Sequence, residues 1–97
     1  MSVPAVQAAL IDRRLRRTDL LVYGAALAEL DLQEWREWKR ILIARRTHLR
    51  AEHVSRCMRR LVSLGYLERQ AEGVGTRVYR LRYSAGGVPR LVPPSGF

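Results

Sequence analysis

Hydrophobic residues recur along this chain with two periods, and the change from one to the other falls at Gly65. Before Gly65 the spacing is that of helices, with apolar positions three or four residues apart. Leu20, Tyr23, Ala26, Leu27 and Leu30 share one face of a helix that starts near Thr18. The Thr18 hydroxyl suits the N-cap, and Asp19 puts a negative charge in the first turn, where unpaired N–H groups attract it. Gly24 inside this helix costs about 1 kcal/mol against alanine, which points to close packing there. Residues 31–37 break the pattern around Trp35 and leave room for a strand of two or three residues. A second helix is expected from about Trp38 to Arg46, with Trp38, Ile41 and Leu42 inward, and Thr47 to Arg50 form a tight connection. The third runs from Ala51 to Leu64, with Val54, Cys57, Met58, Leu61 and Leu64 inward, and Gly65 stands where a helix needs a residue free to turn left-handed. A shorter helix over Val3 to Arg14 precedes these three, with Pro4 in its first turn and Val6, Ala9 and Leu10 inward.

After Gly65 the period is two. Tyr66 to Gln70 reads as a strand, Gly73-Val74-Gly75 as a turn, and Thr76 to Tyr83 as the returning strand. Tyr79, Leu81 and Tyr83 then lie on one face, with Arg80 and Arg82 on the other. Ser84 to Phe97 is rich in Gly, Pro and Ser and is expected to be a flexible tail. The division is a basic N-terminal helical segment over 1–17, a folded domain over 18–83 and the tail over 84–97. A chain of 97 residues suffices for one small core, and 47% apolar residues excludes a disordered chain.

No apolar run approaches the roughly 20 residues of a membrane-spanning helix, and no basic-then-apolar leader opens the chain. Cys57 is the only cysteine, so no internal disulfide is possible. These features fit a reducing compartment, and the expectation is a cytoplasmic protein without membrane attachment.

Charge changes the picture most. The chain carries 18 Lys plus Arg against 9 Asp plus Glu, a net +9. Residues 1–38 hold five basic and six acidic groups, residues 39–60 hold eight basic and one acidic, and residues 61–97 hold five basic and two acidic. The middle fifth therefore carries +7 of the +9, which a uniformly solvating surface would not show and a polyanionic partner would explain. Lys39 is the only lysine. An arginine-favouring genome accounts for that ratio as readily as function does, although arginine alone forks onto phosphates and guanine edges.

The third helix and its approach narrow the reading. Ile43-Ala44, a gap of four residues, the apolar turn residue Leu49, then Val54-Ser55-Arg56, Leu61 and the exit Leu64-Gly65-Tyr66-Leu67 form one pattern. It resembles the winged helix-turn-helix proteins of bacteria, including small transcription regulators similar to the MarR group and phage or plasmid replication initiators. The resemblance covers about residues 18–83 and is most specific over 43–69. It implies an α+β fold, a winged helix-turn-helix with three core helices followed by a β-hairpin wing, here with an extra N-terminal helix. It also implies sequence-specific binding of double-stranded DNA, with the third helix in a major groove and the wing on phosphate or in the minor groove.

Small Ala44 lets two helices cross closely, Leu49 plugs the turn, and Val54, Cys57 and Leu61 dock the third helix. His53, Ser55, Arg56, Arg59 and Arg60 are left pointing outward, with Arg56 the first choice for a base edge. Glu52 on the same face can accept from a cytosine amino group or repel phosphate. Arg45, Arg46 and Arg50 suit phosphate contacts beside the groove, and Arg77 beside the wing turn suits phosphate or the minor groove.

Two positions depart from the pattern. His48 stands where glycine is usual and must take a positive φ. Arg50 stands where Ser or Thr usually caps and has no acceptor to offer. His48 and His53, five residues apart with Cys57 inward, do not make a metal pair. No nucleophile–base pair, phosphate loop or carboxylate pair suggests an enzyme, and no cofactor is implied. A homodimer is expected through the N-terminal helix or the helix after it. The competing readings are a protein-docking winged helix, a replication accessory factor and an RNA binder.

Overall fold

The computed structural model describes residues 4–71, 77–84 and 86–88. Four helices precede most of a small antiparallel sheet: α1 Ala5–Ile11, α2 Arg17–Glu29, α3 Arg40–Thr47 and α4 Ala51–Ser63, with strands β1 Arg36–Glu37, β2 Leu67–Ala71 and β3 Arg77–Leu81. β3 is central and pairs on one side with β1 (Arg36 opposite Tyr79) and on the other with β2 (Leu67 opposite Leu81, Arg69 opposite Tyr79). This is the α+β order expected from the sequence, with the short strand between α2 and α3 in its foreseen place. The 73–75 turn and the tail beyond residue 88 lie outside the described residues.

The core lies where α2, α4 and the sheet meet. Val22, Tyr23, Ala26, Ile43, Val54, Cys57, Leu61, Leu67, Tyr79 and Leu81 are buried together. Ala9 of α1 and Leu15 join the same cluster. The Tyr66 hydroxyl donates to Asp12 Oδ2 at 2.9 Å and so ties the end of α1 to the sheet side. Trp38 packs edge-on to Tyr79 with ring centroids 6.2 Å apart, and its indole N–H donates to Glu29 Oε2 at 2.7 Å. The indole's polar edge is thereby satisfied while its apolar body fills the core.

The ends of α4 follow from local chemistry. Gly65 takes φ 87°. Tyr66 N–H donates to Leu61 O and Gly65 N–H to Val62 O, so the last carbonyls of the helix are satisfied in the paired pattern that a left-handed residue permits. At the other end Arg50 has extended backbone and contributes no side-chain cap, as its chemistry dictates.

Several sequence expectations are corrected. The cap of α2 is Arg16, two residues earlier than Thr18, because Asp19 in the first turn reaches back to accept the Arg16 N–H at 2.7 Å. Gly24 is exposed, and a Cβ there would meet nothing within 4 Å, so close packing is not its reason. Trp38 is buried, but it precedes α3. Ile41 and Leu42 are 60% and 54% exposed, while Ile43 carries that helix's burial. In α1 the inward residues are Ala5, Ala8 and Ala9, and Leu10 faces out at 63% exposure. Small residues there let a seven-residue helix lie close to its neighbours. The returning strand stops at Leu81, two residues before Tyr83, and Val78 is buried as well as Tyr79 and Leu81.

Candidate nucleic-acid interface

α3, the connection His48-Leu49-Arg50 and α4 form the helix-turn-helix. His48 adopts φ 60°, ψ 29°, the left-handed conformation expected of it, which lets Leu49 N–H reach back to Ala44 O. Leu49 tucks against the core beneath the turn. Val54, Cys57, Met58 and Leu61 then fasten α4 by one face. The opposite face is fixed by that docking. Glu52, Arg56 and Arg59, spaced by four and three residues, form an exposed outer stripe.

The flanks of α4 differ from this stripe. On the side toward α2, His53 Nε2 lies 3.1 Å from Thr18 Oγ1, and Arg60 Nη1 donates to Asp19 Oδ2 at 2.7 Å. Asp19 is fully buried. Burial alone would raise its pKa, but the Arg16 N–H and the Arg60 guanidinium outweigh it and hold the carboxyl below its ordinary value. Cys57 packs beside Asp19, and burial with that neighbour pushes the thiol up to about 11. On the other flank Ser55 is half-buried and accepts from Arg40 Nη1 at 3.3 Å.

Around the helix the structure sorts cations into paired and unpaired. Arg46 donates to Glu29 Oε1 at 2.8 Å, and that carboxylate also holds Trp38. Arg80 pairs with Glu68 and lies 4.3 Å over the Trp35 ring. Arg45, Arg50, Arg56, Arg59 and Arg77 are exposed and hold no ion pair among the described residues.

An open groove of about 920 Å³ separates the start of α3, the middle of α4 and the sheet. Lys39, Arg40, Arg59, Arg69 and Arg77 line it against one carboxylate, Glu37, with Trp38, Met58 and Tyr79 beneath. A shallower hollow on the outer side of α4 collects Arg56, Arg59, Arg60 and Arg69. Lys39, Arg40 and Arg69 were not singled out from the sequence. Lys39 and Arg40 open the +7 segment, and Arg69 follows the inward Leu67 by two. Only the pairing of β2 with β3, opposite α4, brings Arg69 next to Arg59 and Arg77.

No protein-family model matches the chain, and no curated protein does. Among solved structures it is similar to a possible transcriptional regulator from Methanosarcina mazei Go1, at 20% identity and TM-score 0.56 over 79% of this chain and 62% of that one. A second similar structure is a homodimeric winged helix-turn-helix DNA-binding domain from Mycobacterium bovis, a possible ArsR-family transcriptional regulator. There the identity is 24% and the TM-score 0.47, over 80% of this chain and 61% of that one. The helix-turn-helix of α3 and α4, packed on α2 and followed by the antiparallel pair β2–β3, is a winged helix-turn-helix fold. This winged helix spans less than two thirds of either of those chains. Among its described residues no helix is long and apolar enough to cross a membrane, and no three His, Cys, Asp or Glu side chains gather as metal ligands.

Proposed function

We propose that this winged helix binds double-stranded DNA sequence-specifically, as a transcriptional regulator. The observation that carries the reading is the concentration, on the outer face of α4 and on the groove beside it, of arginines that hold no ion pair among the described residues. α4 enters the major groove, which at about 12 Å admits one helix. Arg56 and Arg59 meet base edges there, with Ser55 and Glu52 alongside, Glu52 accepting from a cytosine amino group. Arg45, Arg50 and His53 lie beside the groove against phosphate, with Arg46 less available because Glu29 holds it. Lys39, Arg40, Arg69 and Arg77 grip the flanking backbone through the groove between α3 and the sheet.

In this reading the protein acts as a homodimer in the cytoplasm, and the exposed Leu10 and Ile11 of α1, each 63% exposed, supply the apolar contact between copies.

Fluorescence anisotropy with a random-sequence duplex over a salt series tests the reading. About six phosphate contacts predict a slope of log K against log salt near −5. Absence of binding at low salt would remove DNA as the partner. Selection from a random duplex library then gives the sequence.

A further inference from the structure

We propose that Asp19 is a positioning residue that decides which arginines of α4 reach nucleic acid, tying Arg60 back to α2 and leaving Arg56 and Arg59 as the presented cations. The inference rests on the DNA reading above. Arg60 follows Arg56 by four residues, so the two side chains stem from adjacent turns on nearly the same side of the helix. By position alone both should face the same DNA strand. They do not share a fate, because Arg60 Nη1 is 2.7 Å from Asp19 Oδ2.

The hold is of a different kind from the surface pairs. Glu29, which takes Arg46, keeps 31% of its side chain exposed, and water competes for it. The Asp19 side chain has no exposure at all. Its Oδ2 receives the Arg16 N–H and Arg60, and its buried Oδ1 has no hydrogen-bond partner among the described residues. A carboxylate so placed is stranded if its one cation leaves, so release of Arg60 to a solvent-exposed phosphate is opposed. Thr18, next to Asp19 in the first turn of α2, meets His53. α2 therefore grips α4 at residues 53 and 60, two helical turns apart, which fixes the rotation of α4 and the stripe it presents.

The salt slope of random-duplex binding counts neutralised phosphates, a quantity that a purely fold-supporting role would not alter. Arg60→Gln is expected to leave the wild-type slope unchanged. Asp19→Asn, which keeps an acceptor for the Arg16 N–H but loses the charge, is expected to steepen the slope by about 0.9 as Arg60 joins the contact set. That is about 3.5-fold more affinity lost between 50 and 200 mM salt. Adding Arg60→Gln to Asp19→Asn should restore the wild-type slope. A slope made shallower by about 0.9 in Arg60→Gln overturns the inference and leaves DNA binding standing. So does a wild-type slope in Asp19→Asn with native circular dichroism. If Asp19→Asn does not fold, the Arg60→Gln slope decides alone. Failure of the wild type to bind duplex at low salt overturns the DNA reading and this inference together.

Discussion

Replacing His48 by glycine should stabilise the protein, and the size of the gain follows from the turn. His48 sits at φ 60°, ψ 29° and is exposed. The left-handed conformation costs an ordinary L-residue about 1–2 kcal/mol, with histidine among the types that tolerate it better. Glycine removes that cost. It also widens the unfolded ensemble, which takes back about 0.4–1 kcal/mol. The net gain is about 0.5 kcal/mol, equivalent to about 2–4 °C in Tm for a chain this small. Alanine is the sharper control, because it keeps the strain and trims only an exposed ring. His48→Ala should therefore fall below His48→Gly by about 1 kcal/mol, at or slightly under the wild type. Urea unfolding followed by the fluorescence of Trp35 and Trp38 gives the midpoints, and equal m-values are required for the comparison. If His48→Ala proves as stable as His48→Gly, the strain at 48 does not exceed the roughly 0.4–1 kcal/mol that glycine loses through the unfolded chain, and the reasoning fails.

Arg56→Ala is expected to weaken binding to the selected duplex by about 1–3 kcal/mol, measured by anisotropy, and to relax sequence preference. An unchanged preference would remove Arg56 from the base-reading set. The carboxyls of Asp12 and Asp19 are held below their ordinary value of 3.8, Asp12 chiefly by Arg14 and Asp19 by the Arg16 N–H and Arg60 against its burial. The unfolded chain therefore binds protons more readily, so their stabilisation is complete above about pH 4 and is lost as the pH falls further. The urea midpoint should drop from pH 5 to pH 2, less steeply in Asp19→Asn, and a midpoint flat across that range in the wild type would contradict the assignment. Cys57, its thiol pushed to about 11 by burial and by Asp19, holds about 100-fold less thiolate at pH 8 than an ordinary cysteine. A disulfide reagent should modify the native protein at least about 100-fold more slowly than the urea-unfolded chain, and rapid native labelling would refute the burial.

The sequence by itself determined α4, its exit and the wing strands. Val54, Cys57, Met58 and Leu61 leave one register for a thirteen-residue helix. Gly65 is a residue type that its φ of 87° favours, and the alternation around Tyr79 and Leu81 marks β3. A long element with one apolar stripe has a single way to bury it, so local pattern suffices. The positive φ of His48 and the missing cap at Arg50 were legible for the same local reason.

Tertiary structure alone decided the rest. Ile41, Leu42 and Ile43 are three successive apolar residues in an eight-residue helix, and periodicity cannot choose among them. Contact with α2 and α4 selects Ile43 and leaves the other two in solvent. The sorting of arginines was equally hidden. Asp19 and Arg60 are 41 positions apart, and Arg69 gains its neighbours only through the sheet. Charge counting located the basic segment, but an ion pair depends on distance and burial, which exist only once α2 has packed against α4. The fold thereby turns a run of similar arginines into residues paired with carboxylates and residues that stand exposed with no ion pair among the described residues.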